Sequence, residues 1–287
     1  MNDTNNLNQK LINAKSATET AHWLAAGADV NASDIWGRTA LMYAKTAEQT
    51  KILIDAGADV NAVDSTIIEA RLFNKKAKQG KLLYELTALM FAKTAEQTKI
   101  LIDAGANVNA KDGLDKTALM YAETAEQTKV LIDAGADVNA RDCDNWTALM
   151  FAKTPEQTKV LIDAGVDVNA RDKNGLTALM CAKTPEQTKL LIDAGADVNA
   201  KTKDNSTALM YAKSAEQTKL LINAGADVNA SDIFGRTALR FAETPKQKKL
   251  LLNAMQSVRT ETKATLEQKP KNTLIKSIAM KLLQKLR

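Results

Sequence analysis

Thr177-Ala-Leu-Met-Cys-Ala-Lys-Thr-Pro-Glu-Gln-Thr-Lys-Leu-Leu-Ile-Asp-Ala-Gly-Ala-Asp-Val-Asn-Ala200 decides the fold, because near-copies of this stretch run through most of the chain. Thr-Ala-Leu recurs at Thr39, Thr87, Thr117, Thr147, Thr177, Thr207 and Thr237. Every step from Thr87 onward is 30 residues, and only the first, 48, breaks the period. A fixed period of this length marks a stacked repeat array, in which each unit covers the apolar face of its neighbour.

Each copy carries its own helix punctuation. In Thr184-Pro185-Glu186-Gln187, Thr184 is placed to N-cap a helix, Pro185 to occupy its first turn and Gln187 to close a capping box. Three of the four prolines (Pro155, Pro185, Pro245) fall at this position, where a missing N–H costs nothing. Seven of the twelve glycines, Gly195 among them, follow the apolar run of the same helix, where a left-handed residue stops it. A shorter first helix is expected over 178–183, held by its neighbours. Between units, Ala170-Arg-Asp-Lys-Asn-Gly175 reads as a projecting β-turn. The position two before each Thr holds Gly, Asp or Asn, which tolerate positive φ, and only Glu85 departs.

The block resembles the ankyrin repeat: Thr-Ala-Leu-Met-x-Ala stands where that family has T-P-L-H-x-A, and Gly-Ala-Asp-Val-Asn-Ala matches its usual closing motif. The resemblance covers residues 7–255 and implies an all-α solenoid of eight helix-turn-helix units with β-turn tips. Two departures matter. The unit has 30 residues instead of 33, because three between the helices have no counterpart. Met42, Met90, Met120, Met150, Met180 and Met210 replace the family's His, which removes its Thr–His hydrogen bonds and puts an apolar gap-filler there. A metal role for this row is disfavoured, since stacked helices about 8–10 Å apart keep the sulfurs from sharing an ion.

Charge and composition narrow the classes. From Gln256 onward eight Lys and Arg stand against Glu261 and Glu267, so that stretch carries +6 of the net +5 and the rest carries −1. A nucleic-acid binder is therefore not expected. The opening Met1-Asn-Asp-Thr-Asn-Asn-Leu7 lacks a basic and apolar leader, and no apolar run reaches membrane-spanning length. Cys143 and Cys181 fall in different kinds of segment and read as free thiols. These features lead to the expectation of a cytoplasmic monomer.

The ends and one insertion differ from the regular units. Residues 7–32 read as an N-terminal cap, with Ser16-Ala-Thr-Glu19 as its capping box and His22, the sole histidine, in place of an aliphatic residue. The insertion, 65–86, carries a net +3; Thr66-Ile67-Ile68-Glu69 reads as a capping box opening a helix, followed by a return strand. Arg240 and Lys248 suit a C-terminal cap with a wet outer face. Residues 256–272 read as linker, and 273–287 as a basic amphipathic helix that either caps the last unit or meets an anionic membrane surface.

No catalytic residue, cofactor or metal site is expected. The chain repeats the same groups along an axis and brings no unlike groups together, and the oxygens of Asp-Ala-Gly-Ala-Asp-Val-Asn are out of register with a calcium loop. Positions fixed by packing must repeat; positions facing a partner need not. Variation concentrates in the turns, and the family resemblance implies that turn tips and the adjoining first-helix face form a concave protein-binding surface. The residues expected there are Ile35, Trp36, Arg38, Leu114, Lys116, Trp146, Leu176, Ile233, Phe234 and Arg236. The competing reading of the aromatics is that they fold down over neighbouring turns. The expected function is a scaffold for another protein, with a peripheral membrane adaptor anchored by 273–287 as the alternative.

Overall fold

A computed structural model describes residues 3–65, 67–69 and 81–268, and of the side chains none at residue 3, in 66–83 or beyond Thr260. The expected C-terminal helix 273–287 lies outside the described residues. Two compact units make up the chain, Met1–Ala196 and Asp197–Arg287.

Helix pairs follow one another through the first unit: α1 (Asp3–Ile12) with α2 (Ala17–Ala25), α3 (Ala40–Tyr43) with α4 (Ala47–Asp55), α5 (Ala88–Phe91) with α6 (Ala95–Asp103), α7 (Ala118–Tyr121) with α8 (Ala125–Asp133), α9 (Ala148–Phe151) with α10 (Pro155–Asp163), and α11 (Ala178–Cys181) with α12 (Pro185–Asp193). Short helices pack on short ones and long on long, α3 to α5 to α7 and α4 to α6 to α8 onward. The second unit repeats the plan with α13 (Ala208–Tyr211), α14 (Ala215–Asn223), α15 (Ala238–Phe241) and α16 (Pro245–Gln268). The architecture is the all-α stack of helix-turn-helix repeats that the sequence implied.

The first helix is shorter than expected, one turn ending at Cys181 and not at Lys183, because Ala182 turns out of helical space with ψ 128. The second starts as read: Thr184 accepts from the Gln187 N–H and Pro185 lies in the first turn. Gly195 stops it at φ +85. Leu149 and Leu161 and their counterparts fill the core together with the methionine row.

Three sets of bonds strap successive repeats of the first unit. In the core, Gln127 goes beyond its capping box. Its Nε2 donates to the Ala92 carbonyl (3.0 Å) and to Thr98 Oγ1 (3.3 Å) of the preceding repeat, while its Oε1 accepts from the Glu123 N–H (3.0 Å). Gln49, Gln97, Gln157 and Gln187 do the same. At the helix ends Asn109 Nδ2 donates to the Gly135 carbonyl and Asn109 Oδ1 accepts from the Asp137 N–H. The third strap lies in the turns. Two positions depart: Glu19 stands in the Gln register and accepts from the Lys15 N–H as each Gln does, but has no amide N–H to donate, and Lys248 stands in the register of the Thr acceptor.

Two expectations are corrected here. The insertion forms a hairpin and not a helix: β1 (Ile67–Glu69) pairs antiparallel with β2 (Lys81–Leu83), Ile67 opposite Leu83. Its base, Val63 opposite Thr87, is the bridge that Ser33 and Thr39 also form. All these pairs share one register, so the insertion prolongs the ordinary turn; the β-branched Ile67 and Ile68 favour that extended course over a helical one. Second, α16 continues through 256–268, where linker was expected.

Candidate protein-binding face

An Asp, buried everywhere but at Asp34, builds most of the turns. Asp142 Oδ1 accepts from the Asp144 and Trp146 N–H groups, both at 2.8 Å, and Asp34, Asp112, Asp172 and Asp232 repeat the pattern. Thr202 substitutes with one bond, to the Ser206 N–H. The residue two before each helix-capping Thr takes positive φ throughout, and this includes Glu85 at φ +52 despite its unsuited side chain. Neighbouring turns are then tied backbone to backbone: Ser65 N–H to Trp36 C=O (2.8 Å), Gly113 to Tyr84 (2.7 Å), Cys143 to Leu114 (2.8 Å), and Lys173 to Asp144 (2.9 Å). In the second unit Ile233 ties to Asp204 (3.0 Å). At Gly37 an added Cβ would lie 2.7 Å from the Ser65 nitrogen, so only glycine permits that approach. The tips are rigid mounts, not floppy loops.

The expected residues fall into two groups. Ile35 and Trp36 stand out from the first unit, 88% and 49% exposed, and Ile233 and Phe234 from the second, 55% and 70%. The others are drawn inward, apart from Arg236, which stays exposed. Arg38 pairs with Asp64 (3.2 Å) and its guanidinium lies 5.3 Å from the Phe91 ring centre. Lys116 and Trp146 converge on Phe151, at 4.9 and 5.1 Å, and Trp146 Nε1 donates to Asp172 (3.1 Å). Trp146 thus folds down over the next turn, whereas Trp36 and Phe234 do not. Leu114 and Leu176 are half-buried. Arg236 lies 4.7 Å from Phe234 and 5.0 Å from Phe241 and pairs with Asp232 (2.7 Å). Burial works to raise the Asp232 carboxyl, but the N–H groups of Arg236 and Phe234 and the Arg236 guanidinium outweigh it and hold it below the usual range.

A row that the sequence reading passed over runs beside the tips. Tyr43, Phe91, Tyr121 and Phe151 close the short helices of the first unit, and Tyr211 and Phe241 those of the second, with Cys181 the exception. The signal was present, since three of the four Tyr and three of the five Phe share this register. Tyr43 and Tyr121 donate to the turn aspartates Asp34 (2.8 Å) and Asp112 (2.6 Å). Burial first, then that bond, pushes the Tyr121 hydroxyl far above its ordinary pKa. Burial also raises the Cys181 thiol, to about 11. Among the described residues no group of three or more His, Cys, Asp or Glu is placed to hold a metal ion, and no helix is long and apolar enough to cross a membrane.

A protein of stacked one-turn and long helices, strapped at the helix ends and through β-turns, is a helical repeat scaffold. Models of the ankyrin repeat match residues 36–65, 124–202 and 182–259, more than half of the chain, and the chain belongs to that family. No curated protein matches it. Ankyrin repeats are generally non-catalytic and serve as scaffolds for protein–protein interaction.

Proposed function

We propose that this chain is a non-catalytic, cytoplasmic scaffold that binds a partner protein through its turn tips and first-helix face. The observation carrying this reading is the pair Ile35 and Trp36, held out in water on a turn whose backbone is locked by Asp34 and by the bond from Ser65. Large apolar side chains on rigid mounts lose little entropy on binding and make good anchors. Ile233 and Phe234 repeat the arrangement in the second unit. In the first unit the half-buried Arg38, Leu114, Lys116, Trp146 and Leu176 add to the surface around the anchor, and in the second the exposed Arg236 does so. Two free cysteines suit a reducing compartment.

The test is affinity capture from a lysate with mass spectrometry, comparing the natural chain with Ile35→Ser/Trp36→Ser, Ile233→Ser/Phe234→Ser and Lys189→Ala. The tip variants should lose the partner and Lys189→Ala, on the exposed side of α12, should keep it. The reverse pattern would place the partner on the long helices.

A further inference from the structure

Within the first unit the aromatic row has cations on both flanks. From the turns, Arg38 covers Phe91, and Lys116 lies over Phe151 and 6.0 Å from Tyr121. On the other side, two residues beyond each aromatic, the register reads Lys45, Lys93, Glu123, Lys153 and Lys183, all exposed. Each of these residues follows the row by only two positions, which keeps the register beside it.

Glu123 shows what the lysine register does with a carboxylate. Lys93 Nζ donates to it at 3.1 Å, and that bond, with Lys153 adding its field from the next repeat, holds the Glu123 carboxyl below its ordinary range. Among the described residues Lys45, Lys153 and Lys183 form no ion pair of their own. One acidic side chain is thus already seated between two lysines, Lys93 and Lys153, and two further ammonium groups, Lys45 and Lys183, extend the same register.

We infer that the segment of the partner protein taken up by this face is acidic and extended, its carboxylates on the lysine register and its apolar side chains alongside the aromatic row, where Arg38 and Lys116 leave the rings uncovered. This rests on the protein-binding reading above and adds the partner's chemistry. Repeats stack about 8–10 Å apart, and a polyproline-type chain rises about 9 Å per three-residue turn, so a carboxylate at every third residue meets the register once per repeat, at a lysine everywhere but Glu123.

The experiment titrates the full chain with labelled peptides of about 18 residues built from Glu-Pro-Leu repeats, with Gln-Pro-Leu and Lys-Pro-Leu counterparts and an oligothymidylate of similar length. The acidic peptide should bind at least about tenfold more tightly than the neutral one and weaken as salt rises. Lys153→Glu/Lys183→Glu should abolish that preference with an unchanged melting midpoint, and Glu123→Lys should strengthen it. Equal binding of acidic and neutral peptides would overturn the inference, as would preference for the oligonucleotide. If a captured partner depends on Ile35 and Trp36 yet ignores both salt and the lysine variant, the protein-binding reading stands and the acidic segment falls; if it ignores the tips, the protein-binding reading itself falls.

Discussion

Removing one buried glutamine should cost as much as emptying part of a core. In Gln127→Ala, the Ala92 carbonyl loses the Nε2 donor at 3.0 Å, Thr98 loses a donor to its hydroxyl at 3.3 Å, and the Glu123 N–H loses its acceptor. Thr98 keeps its own bond to the Thr94 carbonyl, and the Glu123 backbone lies at an exposed residue where water can reach it. The Ala92 carbonyl and the vacated side-chain volume therefore carry most of the loss. With about 1–3 kcal/mol for a buried group left unsatisfied and a comparable amount for lost packing, the expected destabilisation is about 3–5 kcal/mol. Because repeats hold one another only through neighbours, the effect should be strongest at the junction between α6 and α8. Guanidinium unfolding gives the total, and hydrogen exchange of the α6 and α8 amides gives its location. A cycle with Thr98→Val should show coupling between the two positions. A loss below about 1 kcal/mol, or no coupling, would refute the view that this glutamine clamps one repeat to the next.

The methionine-for-histidine departure leaves Thr39, Thr87, Thr117, Thr147, Thr177 and Thr207 with buried hydroxyls that form no hydrogen bond; Thr147→Val should raise stability by about 1 kcal/mol in denaturant unfolding. Glu85 sits at φ +52, so Glu85→Asn should gain about 0.5–1 kcal/mol, whereas Glu85→Val should lose stability and shift the thermal midpoint down. The Cys181 thiol, raised to about 11 chiefly by burial and next by Asp172, should be alkylated by iodoacetamide at pH 8 about a hundredfold more slowly than a free model thiol, speeding up as pH approaches that value.

Much of the fold is written locally. Thr184, Pro185, Gln187 and Gly195 start and stop α12 through bonds that lie within a few residues, so their pattern is legible wherever it recurs. The 30-residue period follows from the same pattern, because units that must stack on copies of themselves keep the packing residues in step. The tip positions were legible too, as the places where that constraint lapses. What required the tertiary structure were bonds reaching from one repeat to the next. Gln127 looks like half of a capping box in sequence and proves to be a clamp on Ala92 and Thr98, some 30 residues away. Thr66-Ile67-Ile68-Glu69 has the letters of a helix start, yet Ile67–Glu69 pairs with Lys81–Leu83, because the bridge between Val63 and Thr87 sets an antiparallel register before the insertion begins. Trp36 and Trp146 are the same residue type in similar turns. Only the neighbour decides between them: Asp172 and Phe151 draw Trp146 down, while Trp36 is left facing water. Short-range capping is encoded in adjacent residues and can be read from them; whether a side chain meets a partner or solvent depends on what the next repeat places beside it, and that is settled only when the repeats are stacked.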